Sequence, residues 1–351
     1  MNTLVCLVSR QVMANLIPVL TLNVKKVELL FTKEERRSHK NLRTAIEGTG
    51  LNLTINEHLI DAYDFKGIQK ICRQLIKEHA AIVLNATGGT KVMAFAAFLE
   101  FARANKPIFY LDSFNNKAIN FNPYSVTEHK VKIPLNIMLA AHGYGIASFR
   151  TQKELLTHKP LVHFIDRNFA LLESTLAQYR RIVHDESTFM SSLSAAECPF
   201  QIQFKRKGGV RIIYGSKEIE FDDYQFLDGL WLEELVYWYI RDQDWDDLLV
   251  GVELTYHGQE DRQDILNEID VMGIKNGKLY LFSCKSGITK DKKDIFELEA
   301  LRSLAGGTFG KAYFVTSAPI PRDKHLYERC RELGIKIFNH RQFRTIKNEP
   351  F

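Results

Sequence analysis

The sequence is short of the residues that staple a chain or anchor it in a membrane. Its five cysteines, Cys6, Cys72, Cys198, Cys284 and Cys330, are scattered and form no CxxC pair. That pattern argues against a zinc ribbon or a disulfide scaffold, and the odd number fits reduced thiols. No apolar run approaches the roughly 18 to 20 residues that span a bilayer. The opening MNTLVCLVSRQ has no basic leader and is interrupted by Arg10, so it reads as a first strand. The expectation is a soluble cytoplasmic protein with no membrane partner. Internal repeats and low-complexity tracts are also absent.

What remains is an ordinary globular composition, 45% hydrophobic and 25% charged over 351 residues, enough for two domains and a smaller piece between them. The net charge of +5 permits an anionic partner such as nucleic acid but does not require one. Over the first 120 residues, LVCLVS, VELLFT, AAIVLNAT and PIFYLD read as buried strands separated by amphipathic stretches. Near-continuous apolar strands alternating with helices imply an α/β fold, a parallel sheet covered on both faces. This is a Rossmann-like domain, whose ligand sits at the carboxyl ends of the strands.

From about Ile133 the pattern changes. Residues 150–190 read as helical, and QIQFKRKGGVRIIYGSKEIEFDD as one or two antiparallel hairpins turning at Lys207, Gly208 and Gly209. The basic KRK beside that turn suits either a phosphate backbone or plain solvent. The last third opens with the helix LDGLWLEELVYWYIRD, in which Leu232, Leu235, Val236, Tyr239 and Ile240 recur at helical spacing. Two extended segments follow, then a helix from Lys293 to Leu304, the strand KAYFVTS, a helix from Lys324 to Leu333 and the strand IKIFN. The expected division is a domain at residues 1–144, a connecting module at 145–224 and a second α/β domain at 225–351.

Two constellations carry chemistry. In the first, the strand AAIVLN runs through ATGGTK into the helix VMAFAAFLEFA. Adjacent glycines at a strand-to-helix turn let a ligand approach the backbone. The amides of Gly89, Thr90 and Lys91 then point from a helix N-terminus that favours phosphate. Thr87 and Thr90 offer hydroxyls and Lys91 a charge. A tight turn at Gly88 and Gly89 with Thr90 as a helix cap explains the same residues. A second polar turn, SRQVMAN, puts Ser9, Arg10, Gln11 and Asn15 at the same edge of the sheet. Two polar turns on one rim suit a nucleotide pocket.

A first strand ending S-x-Q-x-x-x-N, with N-x-T-G-G-T-K at a later helix start, resembles the CARF domains of type III CRISPR ancillary proteins. The resemblance implies a homodimer that binds cyclic oligoadenylate across its two-fold axis. It implies further that Ser9, Gln11, Asn15, Thr87, Gly88, Gly89, Thr90 and Lys91 line the pocket, since a ring of identical nucleotides suits an isologous dimer.

The second constellation lies in NEIDVMGIKNGKLYLFSCKSG. Metal-dependent phosphodiester hydrolysis needs carboxylates to hold the ion and a lysine to orient water or steady developing charge. Asp270 and Lys285 stand on two strands joined by a turn at Asn276 and Gly277. Alternation places Glu268 with Asp270, and Ser283 with Lys285. Glu233 is a further candidate ligand from the preceding helix, favoured over Glu234, which points about 100° away. Cys284 reads as a core residue whose carbonyl is available to a metal. Solvated acids and a snorkelling lysine would give the same spacing. His257 and His340 are isolated and take no role.

The run WLEELV, NEIDVM, SCKSG and GGTFGKAYFVTS resembles the PD-(D/E)xK, restriction-endonuclease-like domain fused to CARF in CRISPR ancillary nucleases. It departs from the motif at Ser283, where an acid is usual. The resemblance implies a nuclease of DNA, possible on RNA too, activated by cyclic tetra-adenylate and using Mn²⁺ or Mg²⁺. Its metal would be held by Glu233, Glu268 and Asp270 with the Cys284 carbonyl, and Lys285 would assist attack. One alternative is a cyclic-nucleotide-responsive nucleic-acid-binding regulator with a degenerate nuclease domain. Another is a constitutive repair or restriction nuclease.

Overall fold

The computed structural model describes residues 2–113, 115–184, 190–205, 208–257, 266–287, 293–306, 310–320, 324–340 and 342–351. In the N-terminal domain, strands and helices alternate as β1 (Thr3–Leu7), α1 (Met13–Thr21), β2 (Lys26–Phe31), α2 (Arg36–Gly48), β3 (Thr54–Leu59), α3 (Phe65–Glu78), β4 (Ile82–Asn85), α4 (Lys91–Arg103) and β5 (Ile108–Asp112). The five strands are parallel in the order β3-β2-β1-β4-β5. β1 and β4 are buried along their whole length, which is why they read as apolar runs. β3 (TINEHL) was not legible: it is the edge strand, and its side chains are only partly buried. The antiparallel hairpin β6 (Lys117–Phe121) and β7 (Tyr124–Glu128), which extends the sheet beyond β5, was not legible either. The apolar helix α5 (Leu135–His142) closes the domain and stops at Gly143, whose φ of +86° is left-handed.

β8 (Tyr144–Ser148) leaves this domain and pairs with a strand of the C-terminal sheet. Helices α6 (Gln152–Arg167) and α7 (Phe169–His184) follow. After them comes a four-stranded antiparallel sheet of β9 (Ser192–Ser194), β10 (Phe200–Phe204), β11 (Val210–Tyr214) and β12 (Lys217–Phe221). Gly208 and Gly209 take positive φ in the β10–β11 turn, while Lys207, expected there too, lies outside the described residues. Leu161, Tyr179 and Ile202 from this module share one apolar cluster with Trp231 and Phe282.

A π-helical turn at 226–230 runs into α8 (Trp231–Ile240), followed by β13 (Asp247–Tyr256), β14 (Asn267–Lys275), β15 (Lys278–Lys285), α9 (Lys293–Gly306), β16 (Lys311–Thr316), α10 (Lys324–Glu332) and β17 (Ile335–Phe338). The sheet order is β17-β16-β15-β14-β13-β8, antiparallel from β8 to β15 and parallel beyond. This is the helix, three-strand, helix, strand order anticipated from sequence.

The two outer domains are packed together. One apolar cluster joins Leu16, Ile17 and Leu139 to Met272, Leu279 and Leu298. The β14–β15 turn takes positive φ at both Asn276 (+51°) and Gly277 (+70°), as an Asn-Gly hairpin requires. Its tip meets the first domain: a Cβ on Gly277 would lie 3.2 Å from Ile17 Cδ1 and 3.3 Å from Val131 Cγ1. Among the described residues no helix is long and apolar enough to cross a membrane.

Candidate active site and ligand pocket

At the carboxyl ends of β1, β2 and β4 lies a cavity of about 530 Å³. Ser9, Arg10, Gln11, Thr87, Gly89 and Thr90 line it, joined by Thr32, Glu34, Glu35 and Tyr63 from turns that sequence reasoning passed over. The missing signal was β3: once it is placed, the turn after it, carrying Tyr63, must reach the same rim.

Three expected residues are not on the wall. Asn15 is fully buried, donates to the Leu7 carbonyl at 2.8 Å and accepts from Asn85 Nδ2 at 2.9 Å, tying α1 to β1 and β4. Gly88 answers a packing need, because a Cβ there would sit 2.0 Å from the Leu7 oxygen. Lys91 is exposed at the start of α4, outside the cavity.

The threonine hydroxyls are also committed. Thr87 Oγ1 donates to Asn85 Oδ1 at 2.6 Å and accepts from the Leu111 amide at 2.8 Å. Thr90 Oγ1 caps α4 by accepting from the Met93 amide at 3.2 Å, and donates to the Ala62 carbonyl, also at 3.2 Å. A hydroxyl has one proton, so neither threonine is a phosphate donor in this arrangement. Among charged groups on the wall, Arg10 is the cation, almost fully exposed and 3.5 Å from Glu35.

In the C-terminal domain, Glu233, Glu268, Asp270, Cys284 and Lys285 converge on one cleft of about 890 Å³. A local change of strand face positions Asp270. Val250 and Val271 pack into the cluster on the α8 side, whereas their neighbours Val252 and Ile269 pack into the opposite one. The switch falls at Gly251, with φ +59°, and at Asp270. Asp270 Oδ2 accepts the Cys284 amide at 2.5 Å, which pins the carboxylate across β15. Lys285 Nζ stands 3.8 Å from Asp294 at the start of α9. Ser283 lines only a second, smaller cleft on the α9 side, which it shares with Glu268, Asp270 and Lys285.

The two glutamates of α8 have different fates. Glu233 lines the cleft and binds Arg150 Nη2 at 2.7 Å, while Glu234 turns to His158 Nδ1 at 2.8 Å and to Arg150 Nη1 at 3.6 Å. Arg150 reaches them because Gly251 has no side chain; a Cβ there would come within 3.2 Å of Arg150 Nε. Neither Arg150 nor His158 was legible as a partner, since they come from the connecting segment about as far from α8 in sequence as the module is long.

Burial, reinforced by the Asp270 charge, pushes the Glu233 carboxyl up to about 8 against the pull of Arg150. Burial likewise raises Asp270 to about 6, opposed by Lys285 and the Cys284 amide and aided by Glu268. The Cys284 thiol is driven well above its usual range by burial and by the same two carboxylates, so it is no nucleophile. Lys285 is held charged: burial opposes its ammonium, but Asp270 and Asp294 outweigh that and raise its pKa.

Mutually repelling carboxylates in one desolvated cleft suit a divalent cation, which would relieve them, and oxygen donors suit Mn²⁺ or Mg²⁺ over zinc. The ligands are not gathered for one, however. Among the described residues no three His, Cys, Asp or Glu side chains form a metal-holding group. The physical reason is at hand: Arg150 holds Glu233, and the Cys284 amide holds Asp270.

A family model for the Card1 CARF domain matches residues 3–141, and a model for the Card1-like endonuclease domain matches residues 221–349. Among solved structures, Can2 from Sulfobacillus thermosulfidooxidans, in complex with cyclic tetra-adenylate, has a TM-score of 0.75 at 22% identity, over 96% of this chain and 95% of that one. Protein VC1899 from Vibrio cholerae has a TM-score of 0.79 at 17% identity, over 99% and 96%. A type III CRISPR defence DNA nuclease activated by cyclic oligoadenylate has a TM-score of 0.57 at 18% identity, over 92% of this chain but 47% of its own length. No curated protein sequence matches the chain.

Proposed function

The chain belongs to the family of proteins that join a Card1 CARF domain to a Card1-like endonuclease domain, and we propose that its endonuclease is switched on by cyclic tetra-adenylate in type III CRISPR defence. The carrying observation is the convergence of Glu233, Glu268, Asp270 and Lys285 on one cleft of the endonuclease domain. The Can2 complex supports the choice of activator.

The activator's phosphates meet Arg10 and the turn amides at Gly89, and its bases meet the Tyr63 rim. The ring is shared by two copies of the chain. The face that receives the second copy carries exposed apolar side chains. It comprises Phe95 and Leu99 on α4, Tyr110 on β5, and Phe121, Tyr124 and Val126 on β6 and β7, all exposed. A patch of that extent on a soluble chain marks an interface.

Two physical connections join pocket to cleft. Helix α1 follows the pocket turn and seats Ile17 on the β14–β15 tip, and the far ends of those strands carry Asp270 and Lys285. From α5, the chain passes through β8 directly to Arg150. Ligand closure moves α1 and β8, releases Glu233 from Arg150 and lets the carboxylates assemble, a population shift set by tighter binding to the active arrangement. Glu233, Glu268 and Asp270 would hold a divalent Mn²⁺ or Mg²⁺, which would supply Lewis acidity and positive charge. Lys285 orients the attacking water and offsets charge on the phosphoryl oxygens, and Asp270 is fixed for this by the Cys284 amide.

The test is cleavage of plasmid and single-stranded DNA or RNA with Mn²⁺, with and without cyclic tetra-adenylate. Ligand-dependent cutting that Lys285→Ala abolishes is expected; cutting without ligand, or full activity of that variant, overturns the reading. A second reading, nucleic-acid binding without cleavage, is favoured by the commitment of Glu233 to Arg150. Binding without cutting under every metal tried would establish it.

A further inference from the structure

The helix that leads away from the connecting module also lines the nuclease cleft. Arg180 and Arg181, near the carboxyl end of α7, line it together with Glu233, Asp270 and Lys285. The stem of Arg180 lies over the end of β15. A Cβ on Gly287, two residues past Lys285, would lie 4.0 Å from Arg180 Cδ, an ordinary packing distance that places the stem beside the strand end.

The head group is unusual for a guanidinium. Arg180 Nη1 is buried and has no hydrogen-bond partner among the described residues. Burial depresses its pKa, and the carboxylates of Asp228 and Glu173 only partly compensate. Asp228 is itself engaged: His184 Nε2 stands 3.2 Å from it. A planar cation held in a cleft with donors to spare is costly unless something anionic arrives, because a buried donor without an acceptor loses its water without replacement. Of the other acidic groups in the cleft, Glu233 is engaged by Arg150 and Asp270 interacts with Lys285.

We infer that Arg180 is a positioning residue of the nuclease, holding a phosphate of the bound DNA strand by a forked contact in the cleft it shares with Asp270 and Lys285. A guanidinium presents two parallel N–H donors that match two phosphate oxygens. The exposed Arg181 beside it widens the positive wall along the strand, and its own contact is weaker because water screens it. The connecting module is thus half of the substrate site. The inference rests on the proposed nuclease reading and adds to it the group that binds substrate.

The test uses the full-length protein with saturating cyclic tetra-adenylate. Labelled single-stranded DNA and its duplex are titrated against Asp270→Asn chains, in which cleavage is blocked, over a series of salt concentrations. Adding Arg180→Ala is expected to weaken binding about tenfold, the size of one charge-assisted contact. It should also lower the slope of log affinity against log salt by roughly 0.7 to 0.9, one phosphate contact. Arg180→Lys should keep the slope and lose part of the affinity, and it guards against misfolding of the alanine variant. In the cleavage-competent chain that retains Asp270, Arg180→Ala should raise KM more than it lowers kcat. An unchanged salt slope in a folded Arg180→Ala chain overturns the inference. Failure of the nuclease reading looks different: the natural chain would then cut nothing, whatever residue stands at 180.

Discussion

Arg150 and Glu233 form an ion pair at 2.7 Å, their side chains 15% and 8% exposed, with Glu234 the guanidinium's second neighbour. The pair joins the segment leaving the N-terminal domain to the helix that borders the candidate cleft of the endonuclease domain. Breaking a buried pair from one side leaves an uncompensated charge and costs about 3–5 kcal/mol. Arg150→Ala should therefore lose stability in urea denaturation by roughly that amount at pH 9, where Glu233 is ionised, and by less at pH 6, where it keeps its proton. Above the Glu233 titration, at pH 9, Glu233→Gln in the same chain should recover more than half, because it removes the charge left behind; no recovery there would show that Arg150 stabilises by packing alone.

The raised carboxyls set a pH dependence. Glu233 keeps its proton up to about 8 in the folded chain against 4.5 when free, and Asp270 up to about 6 against 3.8. The folded state thus binds more protons than the unfolded chain between those values, and stability falls as pH rises through the window. Melting of the metal-free protein should drop from pH 5 to about 8. The drop should shrink in Asp270→Asn and when Mn²⁺ is added. Mn²⁺ affinity should tighten over the same interval, since binding displaces the protons. A flat melting profile would remove the carboxylate coupling.

Glu268 and Ser283 share the smaller cleft on the α9 side, but only Glu268 also lines the larger one. Glu268 shares the main cleft with Asp270 and Lys285, whereas Ser283 faces α9. Glu268→Ala should reduce cleavage by about a hundredfold or more, the scale of a lost electrostatic group, while Ser283→Ala keeps most of the rate. The reverse order in a plasmid assay would transfer the metal-holding role from the glutamate to the serine, or to a water it holds.

Gly277 tests the connection between domains. A β-branched residue there is strained at φ +70° and its Cβ would press on Ile17 and Val131. Gly277→Val should cost about 1–3 kcal/mol in stability. It should also lower the ratio of cleavage with to without cyclic tetra-adenylate, with activator affinity measured by calorimetry little changed. Equal loss of binding and stimulation would point to damage in the CARF domain instead.

Much of this molecule can be read from local pattern. Apolar runs such as LVCLVS and AAIVLN announce strands because both faces are covered, and Asn276-Gly277 announces a hairpin because few other residues take positive φ twice. The edge strand β3 and the hairpin β6–β7 escape such reading, since side chains that are half-buried or fully exposed leave no continuous apolar signature.

Side-chain commitment is different in kind. The sequence by itself determined the element order of the C-terminal core, two of the turns on the candidate pocket, and the placing of Asp270 and Lys285 on one hairpin. Only the tertiary structure decided that Asn15 braces the sheet, that the Thr87 and Thr90 protons are spent, that Arg150 holds Glu233, and that Arg180 Nη1 has no hydrogen-bond partner among the described residues. Element type follows from nearest neighbours along the chain. Which hydrogen-bonding groups remain free for a ligand follows from partners tens of residues away, and packing chooses those partners.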